Sequence, residues 1–246
     1  MQVSPLSSLL RAEPLPPIVF LFGEEDFLLE EAFHGIISAY TKKSISDFDI
    51  DIVDGEDVSA DRIVSMASAF PMMSEHRLVV VKHFEKAVGG RRGKQAEKSP
   101  LGTFLSSPPS HSTLVITLTH DSTAAENLKG MSSLSSVGRQ ADKAKAKHSK
   151  LAFPYKQLID HASWIEFPAL PEQAITQWIQ KRVSARGKEI VPEAADYIQS
   201  RCSSSLREIS QEIDKLLLFT ANASRVTVDD ALALVGESRE YNVFEL

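Results

Sequence analysis

The chain has 246 residues, of which 43% are hydrophobic and 24% are charged, and its formal net charge is −6. This length and composition are typical of a globular protein with room for two modest domains. The acidic balance argues against a surface built as a whole for nucleic acid, so we expect any contact with DNA to be local. The apolar runs are all shorter than the roughly eighteen residues that a membrane-spanning helix needs.

The start of the chain and its single cysteine indicate the cell compartment. Residues 1–17 are rich in Ser and Pro and lack the charged start and long apolar core of a secretory signal, so we expect a loose N-terminal arm. Cys202 is the one cysteine, which excludes an internal disulfide and is typical of the reducing cytoplasm.

Strands and helices are predicted to alternate after this arm. Residues 18–22 form a short apolar run closed by Gly23, which predicts a first strand. Residues 28–40 carry apolar side chains at helical spacing, and residues 48–53 predict a second strand that ends at the turn pair Asp54-Gly55. This alternation indicates a parallel sheet with helical crossovers.

A corner between a helix and a strand follows. The helix predicted over residues 63–70 ends at Pro71, because proline lacks the backbone N–H. Residues 78–81 read LVVV and predict a strand buried on both faces. Met72 and Met73 lie between the two elements. Apolar loop residues usually pack under a sheet edge; the alternative is an exposed wedge for a partner's apolar pocket, a contact that flexible methionine suits.

The rest of the first domain is less regular. Residues 87–100 are rich in Gly, Lys and Arg and predict an exposed loop. Residues 119–150 contain few large apolar side chains, so we expect a flexible insertion there. Short helices are predicted at residues 103–105 and 155–159, and strands at residues 113–118 and 164–167.

The pattern becomes helical only after Pro168, which sets the predicted boundary between an α/β domain, residues 18–168, and a small helical domain, residues 169–246. Four helices are predicted there. They are residues 175–183, 192–202, 206–217 and 228–236, with Gly187 and Gly236 as the closing glycines.

Ring-forming ATPases also combine an α/β domain with a small helical one, and they need a GxxxxGK[ST] loop after the first strand. Residues 23–29 here read GEEDFLL, without a lysine and with three carboxylates that would repel phosphate. Magnesium binding needs an acidic residue at the end of the third strand, where Lys82 and His83 stand. The scattered histidines and single cysteine have no metal-ligand spacing, so we expect no catalytic, cofactor or metal residues.

Two basic segments are candidates for phosphate contacts. The residues concerned are Arg91, Arg92, Lys94, Lys145 and Lys147. Aromatic side chains that could stack on bases are not interleaved with them, so solvated segments are the favoured interpretation and phosphate contact is the alternative.

Several stretches together resemble the delta subunit of the bacterial DNA polymerase III clamp loader. They read FLFGEEDFL at residues 20–28, MMSEHRLVVVK at 72–82, LPE at 170–172 and NVFEL at 242–246, with the helix of residues 208–217. The resemblance implies an AAA+-like domain that binds no nucleotide, with a parallel five-stranded sheet flanked by helices, followed by a helical lid. It implies no cofactor and no intrinsic catalysis, and a polymerase classification only as a holoenzyme subunit.

The resemblance also implies a function. The chain would bind the sliding clamp (beta) and open the ring for loading on primed DNA, together with the gamma/tau and delta prime subunits. In this family a hydrophobic wedge before the third strand enters the clamp. Met72 and Met73 match it, with Phe70 nearby, where a Leu-Phe pair is usual in some members. An unorthodox AAA+ ATPase and a DNA-binding module are the alternative functions.

The chain differs from the family in two respects. The segment between residues 121 and 150 is longer than the family pattern, and the chain stops where the family's third domain, the collar, would begin. We therefore expect a fragment that does not build the whole loader alone.

Overall fold

The computed structural model describes residues 2–3, 6–42, 47–89, 94–135, 139–202 and 205–240. The chain divides into two compact units, Met1–Ala169 and Leu170–Leu246. This division lies one residue beyond the boundary that the sequence pattern predicts.

The first unit is a parallel sheet flanked by helices. Its strands are β1 (Gln2–Val3), β2 (Ile18–Gly23), β3 (Ile50–Asp54), β4 (Arg77–Lys82), β5 (Ser112–Thr117) and β6 (Ser163–Phe167). Its helices are α1 (Leu6–Leu9), α2 (Asp26–Thr41), α3 (Ala60–Ser68), α4 (Phe84–Ala87), α5 (Lys94–Glu97), α6 (Pro100–Ser106), α7 (Thr123–Leu128), α8 (Arg139–His148) and α9 (Tyr155–His161), with 3-10 turns at Asp47–Asp49 and Met131–Ser135. The strand order is β1-β6-β2-β5-β4-β3. Every neighbouring pair is parallel. The predicted five-stranded parallel sheet is confirmed, and β1 adds a short sixth strand at its edge.

The central strands are buried on both faces, which explains their unbroken apolar runs. All six residues of β2 and all six of β5 are buried. Because successive side chains point to opposite faces, Phe20 and Phe22 pack with Val79 and Val81 in one core, while Val19 and Leu21 pack in the other.

The prediction of a loose N-terminal arm is wrong, because described residues before β2 belong to the fold. β1 pairs with β6, and Leu9 and Leu15 are buried in the same core as Val19. The average Ser and Pro content of residues 1–17 suggested a solvated segment, but the burial of two leucines depends on what lies opposite them.

The prediction of a flexible insertion over residues 119–150 is also wrong for the described part of that segment. This part forms α7, the turn Met131–Ser135 and α8. Leu128 and Met131 are fully buried, and Ala141 and Ala144 bury one side of α8. Small alanines at helical spacing are enough to dock a helix, although each of them contributes little apolar surface. The loop predicted over residues 87–100 similarly contains α5 and the first residue of α6, which Ser99 caps.

The second unit contains the four predicted helices and a short sheet. The helices are α10 (Glu172–Ser184), α11 (Pro192–Arg201), α12 (Leu206–Phe219) and α13 (Val228–Glu240). The expectation of helices only is wrong, because β7 (Glu189–Ile190) and β8 (Arg225–Val226) pair in parallel. Gly187 follows α10 with φ +78°, a conformation that glycine adopts without strain. Within the described ranges, every helix is too short or too polar to cross a membrane.

Candidate partner-binding corner

The connection between α3 and β4, residues 69–76, is the candidate site, and we call it the corner. It precedes β4 and therefore lies at the amino end of the parallel sheet. Both of its ends are fixed: the amide of Ala69 donates to the carbonyl of Met66 at 3.3 Å, and the amide of Arg77 donates to the carbonyl of His111 at 2.9 Å.

The corner presents large apolar side chains to solvent. Met72 is 80% exposed and Met73 is 59% exposed, so the interpretation that they pack under the sheet edge is wrong. Phe70 is 77% exposed, and its ring stacks on that of His111 with 4.2 Å between the centroids and an angle of 16°. Neighbouring exposed apolar side chains are typical of a surface that another molecule covers.

A buried carboxylate holds the backbone of the corner. Asp49 lies in the turn before β3 and is fully buried. Its two oxygens accept hydrogen bonds from the backbone amides of Met72, Met73 and Ser74 at 2.6, 2.8 and 2.7 Å. Sequence reasoning missed Asp49, because the predicted second strand, residues 48–53, included it as a strand residue and nothing in its local pattern marks it as an acceptor for the corner.

Arg77 links this carboxylate to the edge of the sheet. Its Nη1 lies 3.7 Å from Oδ1 of Asp49, and its Nη2 donates a hydrogen bond to the carboxylate of Asp51. Burial raises the pKa of Asp49, but hydrogen bonds from the three backbone amides and from the Ser74 side chain together outweigh burial and leave the pKa below its ordinary value. Asp49 is therefore an anion at neutral pH.

The end of the corner nearest β4 is held by polar contacts of its own. The hydroxyl of Tyr40, on α2, donates to the carbonyl of His76. Nε2 of His76 lies 2.8 Å from Oγ1 of Thr113, and burial together with the neighbouring His111 lowers the pKa of His76. His76 is therefore neutral at pH 7 and takes part in a hydrogen bond, not in an ion pair.

An open groove of about 830 Å³ runs beside the corner. One wall is formed by residues of the segment between α1 and β2, including Leu10, Pro14 and Leu15, and another by Met72 and Met73. The N-terminal residues that the sequence assigned to an arm thus lie next to the exposed methionines.

The opposite, carboxyl end of the sheet is where an ATPase of this architecture holds phosphate. Here the backbone amides of Glu24 and Glu25 donate to the carbonyl of Phe167 at 2.9 and 3.0 Å. The carboxylate of Glu24 accepts a hydrogen bond from Nζ of Lys129 at 2.6 Å. These amides already have acceptors within the protein.

The candidate phosphate contacts are dispersed over the chain. Arg91 and Arg92 lie outside the described residues, and Lys94 begins α5. On α8, Lys145 is exposed, but Nζ of Lys147 donates to the carbonyls of Glu126 and Lys129 at 2.8 and 2.9 Å. Lys147 therefore stabilises the end of α7. In the part of the chain that the structure describes, His, Cys, Asp and Glu side chains form no cluster of three or more that could hold a metal ion.

The fold and the corner together define a class: an α/β protein with a parallel sheet and a helical second unit, which presents an exposed apolar surface at the amino end of its sheet. The sequence model of the family described as "DNA polymerase III, delta subunit" matches residues 20–138. The DNA polymerase III subunit delta of Bacillus subtilis (strain 168) is 28% identical over 239 residues, which cover 96% of this chain and 62% of that protein.

A solved structure extends the match. The Bacillus subtilis DNA clamp loader delta protein superimposes with a TM-score of 0.64 at 25% identity, covering 98% of this chain and 64% of that one. The chain is therefore similar to the DNA polymerase III delta subunit in both sequence and fold, and the resemblance stated from its sequence is confirmed. It spans less than two thirds of the length of either relative.

Proposed function

We propose that this chain acts as the delta subunit of a clamp loader, and that its corner binds the sliding clamp of DNA polymerase III. The observation that carries the proposal is the exposure of Met72 and Met73 on a backbone that a buried carboxylate holds in place. Similarity to the DNA polymerase III delta subunit supplies the class of partner. Met72 and Met73 form the wedge, and Phe70 extends it on the side where its ring stacks on His111.

The wedge would bind by burying its side chains in an apolar pocket of the clamp. Methionine suits this role because its unbranched thioether adapts to the shape of a pocket. Binding alone does not open a ring: the chain favours the opened clamp only by the difference between its affinities for the open and closed forms. A corner fixed at both ends suits this task, because a mobile loop would follow either form equally well.

The proposal includes no ATP hydrolysis by this chain. Support comes from the carboxyl end of the sheet, where the amides of Glu24 and Glu25 are engaged by Phe167. The end of β4, where magnesium binding would need an acidic residue, carries Lys82 and His83 instead. Nζ of Lys82 lies 4.7 Å from the centroid of the Phe33 ring, and Nδ1 of His83 lies 2.7 Å from Oδ2 of Asp54. The chain would act in the cytoplasm with the gamma/tau and delta prime subunits, and would meet primed DNA through the assembled loader.

Charge substitutions at matched exposed positions test the proposal. Leu218 is 78% exposed in the second unit, which makes it a control for Met72 at 80%. Binding to the sliding clamp of the same organism is measured by titration for the wild type, Met72→Glu and Leu218→Glu. We expect Met72→Glu to abolish binding, because a carboxylate is costly in an apolar pocket, and Leu218→Glu to bind as the wild type does.

Two results would contradict the proposal. One is a wild-type chain that does not bind the clamp, and the other is a Met72→Glu variant that binds as tightly as the wild type. A parallel titration with ATP separates the alternative of an unorthodox ATPase, for which saturable nucleotide binding would be required.

A further inference from the structure

We propose that Asp49 is a positioning residue, which holds the corner in the conformation that presents Met72 and Met73 and thereby sets the affinity for the clamp. This inference rests on the proposed function and adds to it a residue that does not itself touch the clamp. The carboxylate is fully buried, so it acts through the backbone of the corner.

The geometry is that of a three-point anchor. The three donors are consecutive backbone amides, those of Met72, Met73 and Ser74, and all three bonds are 2.8 Å or shorter. Asp49 lies 23 to 25 residues earlier in the chain, so the anchor is a tertiary contact and not a local turn. Hydrogen bonds to an ionised acceptor are roughly twice as strong as neutral ones.

The surroundings keep the carboxylate in place. Arg77 contacts both Asp49 and Asp51, which ties the anchor to the start of β4 and to the edge strand β3. Since both methionine side chains point largely into solvent, their own packing contributes little to holding the loop. The conformation of the wedge therefore depends on its backbone, which Asp49 holds at Met72, Met73 and Ser74.

The consequence for binding follows from population arithmetic. A partner that binds one conformation has an apparent Kd equal to the intrinsic Kd divided by the fraction of molecules in that conformation. If loss of the anchor leaves about a tenth of the molecules in the presented conformation, the apparent Kd rises about tenfold.

Asp49→Asn is the test variant, because it keeps the shape but replaces one acceptor oxygen by a donor group that faces a backbone N–H. Asp51→Asn is the matched control: Asp51 also contacts Arg77 but is not the acceptor of the three amides. Hydrogen exchange of the free proteins and clamp affinity are both measured. We expect Asp49→Asn to accelerate exchange at the three amides and to raise Kd about tenfold or more, and Asp51→Asn to change Kd less than threefold.

A double-mutant cycle separates positioning from general damage to the fold. In a Met72→Ala/Met73→Ala background, Asp49→Asn is expected to change Kd by less than twofold, because the side chains it presents are gone. The inference is overturned if the full loss persists in that background, or if exchange at the three amides accelerates while the affinity stays the same.

If the Asp49→Asn variant does not fold, hydrogen exchange of the wild-type protein still tests the inference. The anchor requires the amides of Met72, Met73 and Ser74 to exchange slowly although two of their side chains are exposed, and fast exchange there refutes it. Absence of clamp binding by the wild type refutes the proposed function and the affinity claim together. Slow exchange would then still support the three hydrogen bonds that hold the corner.

Discussion

Truncating Met72 and Met73 to alanine is expected to weaken clamp binding by an amount that follows from their exposure. Fully burying a methionine side chain is worth about 1.5–3 kcal/mol. With 80% of Met72 and 59% of Met73 still exposed, burial in the clamp would contribute about 1–2 kcal/mol for each, and more for Met72. The double variant then loses about 2–4 kcal/mol, which is roughly a 30- to 700-fold rise in Kd.

The assay is a titration of the clamp with each single variant and the double variant, beside Leu218→Ala as an exposed apolar control. Thermal unfolding is measured in parallel, and the free energy of unfolding is expected to change by less than about 0.5 kcal/mol, because both positions are on the surface. Equal affinity for the double variant and the wild type would refute the reasoning. A comparable loss in Leu218→Ala would show that general surface hydrophobicity, and not the corner, drives binding.

Two further predictions concern the fold that supports the site. Gly23→Ala is expected to lower the free energy of unfolding by more than about 3 kcal/mol, because φ at Gly23 is +146° and a β-carbon would lie 2.1 Å from the carbonyl oxygen of Phe167. Denaturant unfolding checks this against Gly130→Ala, where φ is +85° and nothing lies within 4 Å of the added β-carbon, so the expected cost is only about 1–2 kcal/mol. Stability is also expected to fall as the pH decreases below about 6.5, since burial lowers the pKa of His76 in the folded state and the unfolded chain then binds more protons. Urea unfolding between pH 7.5 and 5.5 is expected to show a smaller loss for His76→Gln than for the wild type, and an equal loss in both would contradict this assignment.

Local patterns were enough to predict the elements that build the site. The strand after the corner reads LVVV, and a strand buried on both faces needs such a run wherever it lies in the sheet. Pro71 predicts that the preceding helix ends before it, since a residue without a backbone N–H cannot continue a helix, although α3 already ends at Ser68 and the predicted helix ran to Phe70. The absence of a lysine from residues 23–29 is equally a property of the sequence alone.

Predictions from the same local patterns were wrong for segments whose burial or pairing depends on residues far away in the chain. Leu9 and Leu15 are buried because the core formed by Val19 and its neighbours lies beside them, and α8 docks through Ala141 and Ala144. The pairing of β7 with β8 joins residues more than thirty positions apart. In each case the average composition of a segment is a poor guide to the side chains that face the core.

By itself, the sequence determined the alternation of the central strands and helices, the location of the methionines at a corner, and the lack of a GxxxxGK[ST] pattern after the first strand, because each depends on neighbours within a few positions. The tertiary structure decided that Met72 and Met73 face solvent, that their amides converge on Asp49, and that the segment before β2 lines the adjoining groove. The physical reason is that exposure and hydrogen bonding depend on what lies opposite in space. For this corner the decisive group is a carboxylate at least 23 residues away, which no periodicity in the chain connects to it.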